Sequence, residues 1–207
     1  MGDLDRAAYL EHRFSGSQRL VHVRETRLVS QLLSQLDCSD GSRVLDAPSG
    51  HGRFTELLRS LGEPVCVDAD RRHLIALAEA ERELGNAVPP RVELRLGEPL
   101  PFEDKTFDLV FCFRFLHHVR EPSLRRQVLG ELVRVSRQHL IGSYYQARSL
   151  HSLQKSLSPK RRGKRGLALI SRRELRTLAA ELGCEVVYDR AIFPGVHAQR
   201  IMMLTRV

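Results

Sequence analysis

No stretch of this 207-residue chain approaches the ~18–20 consecutive apolar residues that a helix needs to cross a bilayer. The opening Met1-Gly-Asp-Leu-Asp-Arg6 lacks the basic-then-apolar pattern of a secretory signal, so a soluble, cytoplasmic protein is expected. Cysteine is scarce and scattered. Cys38, Cys66, Cys112 and Cys184 show no CxxC spacing, which points to buried free thiols and to neither a zinc site nor a disulfide framework. Acidic residues are missing altogether from Leu132 to Arg173, a stretch that carries Arg134, Arg137, Arg148, Lys155, Lys160, Arg161, Arg162, Lys164, Arg165, Arg172 and Arg173. Those positive charges outnumber the chain's net charge of +8, so the remainder is net acidic. The basicity is therefore regional, which fits a local anion-facing surface better than a generally cationic protein.

What is present is a chain 42% hydrophobic, enough to bury a substantial core and of a size for one domain, 1–207. A lead-in, 1–40, contains a helical face over Ser17 to Leu36, with Val21, Leu28, Val29, Leu32, Leu33 and Leu36 at spacings of three, four and seven. Short apolar runs then alternate with helical patterns. Strands are expected at Arg43 to Ala47, Pro64 to Asp68, Arg91 to Leu96, Phe107 to Phe113 and His139 to Tyr145, and helices at His51 to Leu61, Arg71 to Leu84 and Pro122 to Arg137. Gly85 and Gly183 read as helix stops, and Ser171-Arg-Arg-Glu174 as a capping box that opens a helix to Leu182. Two last strands, Glu185 to Phe193 and Gln199 to Thr205, meet across the turn signal Pro194-Gly195.

Repeated strand–helix units imply a Rossmann-like, doubly wound α/β fold: a mostly parallel seven-stranded sheet with an antiparallel C-terminal hairpin. The segment 146–169 fits neither element and reads as a mobile, solvated basic insertion.

Open α/β sheets bind ligands beyond the carboxyl ends of their strands. The loop after the first strand is Asp46-Ala-Pro-Ser-Gly-His-Gly52, in which Gly50 and Gly52 let backbone approach a ligand closely. Asp68 closes the second strand, where a carboxylate can accept hydrogen bonds from both hydroxyls of a ribose. A Gly-x-Gly pair alone says little; the weight lies in the joint placement of two acids and two glycines. A nicotinamide dehydrogenase would need a third glycine where Thr55 stands, and no Tyr-x-x-x-Lys pair is present.

Val44-Leu-Asp-Ala-Pro-Ser-Gly-His-Gly-Arg-Phe54 resembles motif I of the class I S-adenosylmethionine-dependent methyltransferases. Val65-Cys-Val-Asp68 is similar to their second motif. Leu100-Pro-Phe-Glu-Asp-Lys-Thr-Phe-Asp-Leu-Val110, followed by Leu116-His-His118, is similar to a block of the ubiquinone-biosynthesis-like, small-molecule branch. The resemblance implies S-adenosylmethionine as cofactor, with Asp46, Ala47, Ser49, Gly50 and Gly52 around its methionine end. It further implies Asp68 on the ribose with Ala69 beside it, Gly97, Glu98 and Pro99 bordering the adenine, and Phe113 and Arg114 lining the reactive face. Pro48 departs from the family pattern by replacing the first glycine, and it has no amide to donate.

Methyl transfer from a sulfonium is an in-line displacement from a leaving group already activated by charge, so positioning matters more than acid–base residues. If the acceptor is a hydroxyl, His118 or His117 past the fourth strand is a candidate base, and Tyr144 and Tyr145 past the fifth are candidate pocket residues. His51 reads as a surface or cofactor-contact residue. The expected partner is a polar or anionic small-molecule acceptor drawn by the basic insertion. An RNA acceptor is a second reading, disfavoured because no aromatics interleave the basic run, and a non-catalytic binding module is a third. No metal is expected.

Overall fold

A computed structural model describes residues 17–36, 41–147 and 167–207. The six basic residues between Lys155 and Arg165, together with Arg148 and Cys38, lie outside the described residues. The chain divides into two compact units, Met1–Leu100 and Pro101–Val207.

In the first unit, α1 (Ser17–Leu33) buries Leu28, Val29, Leu32 and Leu33, the face anticipated from their spacing. The strands β1 (Val44–Asp46), β2 (Pro64–Asp68) and β3 (Arg91–Glu93) pair in parallel, with β2 central. Between them run α2 (Thr55–Arg59) and α3 (Arg71–Glu83). α2 is shorter than the helix expected over His51 to Leu61 because residues 51–54 are spent on a turn around Gly52. α3 starts where Asp70 accepts from the Arg72 amide at 3.0 Å and stops at Gly85, whose φ of +72° only glycine adopts cheaply. There the amides of Gly85 and Asn86 turn back onto the carbonyls of Arg82 and Glu81. Its inner face buries Leu74, Leu77 and Ala78, each leucine contributing about 1.5–3 kcal/mol. Glu81, fully buried, is held by Arg59 at 3.1 Å and by Asn86 at 3.0 Å.

The second unit carries β4 (Phe107–Cys112), a 3₁₀ turn at Leu116–His118, α4 (Pro122–Val135), β5 (Ser136–Tyr145), α5 (Arg172–Glu181), β6 (Cys184–Ala191) and β7 (Gln199–Arg206). β4 and β5 are parallel. β7 lies antiparallel to both β5 and β6, so the C-terminal hairpin is present and its last strand inserts next to β5. With seven strands, mostly parallel and antiparallel at the C-terminus, the chain has the Rossmann-like α/β architecture expected. The capping box at Ser171 is half formed. Ser171 Oγ accepts from the Glu174 amide at 3.0 Å, but the Glu174 carboxylate pairs with Arg125 at 2.6 Å, because the nearly buried guanidinium needs a counter-charge. Arg134, Arg137 and Arg172 of the basic stretch are ion-paired with Glu131 and Asp104, with Asp108, and with Asp189.

Cys66, Cys112 and Cys184 are buried free thiols. Among the described residues no helix is long and apolar enough to cross a membrane, and no three His, Cys, Asp or Glu side chains gather as metal ligands.

Candidate functional site

The carboxyl ends of β1 and β2 bring two acids and a glycine turn together. Asp46, the last residue of β1, is 2% exposed, and its Oδ2 meets no hydrogen-bond partner. Burial, reinforced by the nearby charge of Asp68, pushes its carboxyl well above the ordinary carboxylate range. Ala47 is fully buried behind it, and Ser49 has a buried Oγ that is likewise unpartnered. The Ser49 amide donates to the Val67 carbonyl at 2.9 Å, tying the loop to β2.

The two glycines differ in what they do. Gly52, at φ +71°, packs so tightly that a Cβ there would stand 2.8 Å from Leu77 Cγ of α3 and from Thr55 Oγ1. Gly50, at φ +55°, has nothing within 4 Å of a Cβ position, so its open side is available to a ligand.

Asp68, at the end of β2, is held by three donors. Its Oδ2 accepts from the Gly50 amide at 2.9 Å, while Oδ1 accepts from the Asp70 amide at 2.8 Å and meets His73 Nδ1 at 3.1 Å. Burial alone would raise this carboxyl, but the bonds from His73, Asp70 and Gly50 outweigh it and hold the group below the ordinary range. The His73 imidazole is raised in turn, chiefly by that hydrogen bond and against the effect of burial. The His51 ring packs against His73, tilted by 47° with ring centroids 4.3 Å apart. Ala69 is exposed at the strand end. The Leu94 amide donates to the Asp68 carbonyl at 3.0 Å, which sets the turn carrying Gly97 (φ +111°) and the exposed Glu98 beyond β3. Asp46, Ala47, Ser49, Gly50, Gly52 and Asp68 thus form one cluster in the first unit.

In the second unit β4 is followed by Phe113, 7% exposed and stacked on Phe111 at 5.3 Å. Arg114 follows in the left-handed region at φ +54°, pinned where its amide donates to Ser143 Oγ at 2.8 Å. Backbone strain of this kind collects at ligand-handling turns. The 3₁₀ turn then presents His117, buried, and His118, exposed, with ring centroids 4.1 Å apart. His117 lies 4.7 Å from the Tyr145 ring, and Tyr145 lies 6.0 Å from His197. His197 Nδ1 accepts from the Gln199 amide at 3.2 Å, which leaves the proton of the neutral ring on Nε2.

Tyr144 is not part of this group. Side chains alternate along a strand, so Tyr144 faces away from Tyr145; it is fully buried and its hydroxyl donates to Asp189 at 3.0 Å. Burial and the Asp189 charge push its hydroxyl far above the ordinary phenol range, which unfits it to give up a proton. Asp189 also accepts from Arg172 at 2.7 Å and from Arg200. His73 and His197 had drawn no attention in the sequence. The first had a usable signal, since a helix capped at Asp70 sets its third residue back over the strand end; the second had none.

Residues 45–139 match the family model described as a methyltransferase domain. The mitochondrial ubiquinone biosynthesis O-methyltransferase of Schizosaccharomyces pombe is 32% identical over 117 residues, covering 53% of this chain. The chain spans 41% of that curated relative's length. Among solved structures, magnesium protoporphyrin IX methyltransferase from Synechocystis PCC 6803, with bound S-adenosylhomocysteine, superposes with a TM-score of 0.76 at 14% identity, over 99% of this chain and 96% of that one. A [4+2]-cyclase shares the fold at a TM-score of 0.69 and 14% identity, over 87% of this chain and 80% of its own, so the fold by itself does not dictate the reaction. Over residues 45–139 the chain is therefore similar to methyltransferase domains, and its fold is the one seen in S-adenosylmethionine-dependent methyltransferases of known structure.

Proposed function

We propose that this chain binds S-adenosylmethionine at the ends of β1 and β2 and transfers its methyl group to a polar or anionic small molecule. The observation that carries the reading is Asp46: a buried carboxyl with an unpartnered oxygen, disfavoured as an anion by its burial and by a second acid nearby. Such a site suits a ligand that brings positive charge, and it would repel a dinucleotide's pyrophosphate. S-adenosylmethionine supplies a methyl group on a cationic sulfur, together with an ammonium group. On this reading Asp46 and Ser49 Oγ receive polar hydrogens from the methionine end, the open side of Gly50 leaves room for it, and Asp68 takes the ribose. Ala69, Gly97 and Glu98 border the adenine, and Phe113 and Arg114 belong to the reactive face.

On the acceptor side, His117, His118, Tyr145 and His197 form the polar aromatic cluster of the second unit. A proton released by a hydroxyl acceptor would pass to an imidazole there, with exposed His118 the first choice; an amine or carbanion acceptor needs only positioning. The basic segment supports an anionic acceptor. Its flanking residues are tied to this cluster, with the Ala168 amide donating to the His117 carbonyl at 2.8 Å and the Ile170 amide to the Tyr145 carbonyl at 2.8 Å. The test is calorimetry with S-adenosylmethionine, followed by acceptor pools incubated with methyl-labelled cofactor. Replacing Lys155, Lys160, Arg161, Arg162, Lys164 and Arg165 by Ser is expected to weaken acceptor use and spare cofactor affinity. Unchanged turnover would remove the basic segment from the reading, and salt-sensitive RNA retention would favour a nucleic-acid acceptor instead.

A further inference from the structure

A carboxylate offers about four acceptor positions, two on each oxygen. Three of those on Asp68 are already taken inside the chain: one on Oδ2 by the Gly50 amide, and two on Oδ1 by the Asp70 amide and by His73. A ribose held through both hydroxyls needs a free position on each oxygen. Oδ2 has one, and Oδ1 has none while His73 is in place.

The two amides are anchored by the loop and the start of α3, whereas the His73 side chain is 36% exposed and can swing away by rotation about its own bonds. We propose that His73 is a proton-controlled competitor for the ribose seat, which must leave Asp68 before both oxygens can accept the diol. The inference rests on the assignment of Asp68 to the ribose, and it makes cofactor affinity depend on pH through a residue that need not touch the cofactor.

The sign follows from the surroundings of the ring. Asp68 at 3.1 Å and Asp70 at 3.9 Å favour the charged imidazole, Arg72 on the same turn opposes it, and the tilted ring of His51 packs against it as a second imidazole. The protonated ring donates a charge-assisted bond to Asp68 and holds it more tightly than the neutral ring does. Ribose binding strips His73 of this partner and lowers its hold on the proton, so binding expels protons. Affinity therefore falls as pH drops through the imidazole's raised value in the free protein, and levels off above it.

The experiment uses the full chain and S-adenosylhomocysteine, whose uncharged sulfur removes sulfonium repulsion as an explanation. Site-resolved NMR titration of the His73 imidazole is expected to move to lower pH when this ligand is bound. Calorimetry at about pH 6 and about pH 9, on either side of the histidine range, should show binding at least about threefold weaker at the lower pH. His73→Ala should abolish that difference and bind more tightly than wild type at the lower pH. His73→Gln, a neutral donor, should lose the pH slope yet still compete, and His51→Asn should keep the slope.

A His73 titration indifferent to ligand, or a slope that survives His73→Ala, would overturn the inference. If Asp68→Ala binds the ligand as well as wild type, the ribose assignment fails and the inference falls with it. If Asp68→Ala weakens binding while His73→Ala leaves the slope intact, only the role of His73 is wrong.

Discussion

The residue clusters of the two units are built in opposite ways. In the first unit, Asp46, Ser49, Gly50, Asp68 and His73 lie within twenty-eight residues, and most of their hydrogen bonds run between one strand end and the next loop. In the second, His117, His118, Tyr145 and His197 span eighty-one residues and meet because β7 pairs with both β5 and β6. The first is a local motif with fixed donors, suited to a ligand that is always the same. The second depends on strand register and loop path, the parts of a fold that vary most cheaply, and so suits an acceptor peculiar to this protein.

The sharpest way to break the comparison is to separate binding from turnover. His118→Ala is expected to lower kcat about 10²-fold or more if the acceptor is a hydroxyl, and to leave the cofactor Kd unchanged. An equal loss of cofactor affinity in calorimetry would show that the two clusters are not separable in function. Asp68→Ala should do the reverse, costing about 1–3 kcal/mol of cofactor binding by the same measurement, since the carboxylate is a charged acceptor. The two glycines provide a comparison within one turn. Gly52→Ala forces a methyl against Leu77 and Thr55 at a positive φ and should lower unfolding free energy by about 2 kcal/mol in urea denaturation. Gly50→Ala has space around it, so it should cost about 1 kcal/mol from backbone strain alone and show its main effect as weaker cofactor binding.

The smallest effect sharpens the contrast between two neighbours. Tyr144→Phe takes one hydroxyl from Asp189, which retains Arg172 and Arg200, and should cost about 1 kcal/mol of stability with turnover unchanged. Tyr145→Phe should leave stability near wild type and alter acceptor KM. A matching loss of turnover in Tyr144→Phe would return Tyr144 to the acceptor side.

Much of the fold was legible because its signals are local. β2 and the starts of α3 and α4 fall where the apolar runs and helical spacings predicted, and Gly85 ends its helix with the positive φ that its position demanded. β3 was overdrawn: Val92, Leu94 and Leu96 alternate cleanly, yet the strand stops at Glu93, and the Leu94 amide turns to the Asp68 carbonyl. Alternation records which side chains seek cover, and it does not count the ladder bonds available. Tyr144 and Tyr145 show the same limit in the site. Both close β5 equally well on paper, and only the pleat decides which one meets His117 and which one meets Asp189.

The amino-acid sequence alone determined the order of strands and helices, the glycine turn, the two acids at successive strand ends and hence the kind of cofactor, because each depends on residues a few positions apart. Tertiary structure alone decided that Asp68 is already occupied by His73, that Glu174 serves Arg125 rather than its own helix start, and that His197 joins Tyr145. Those contacts form between side chains whose neighbours in space are set by pairing and packing rather than by neighbours along the chain.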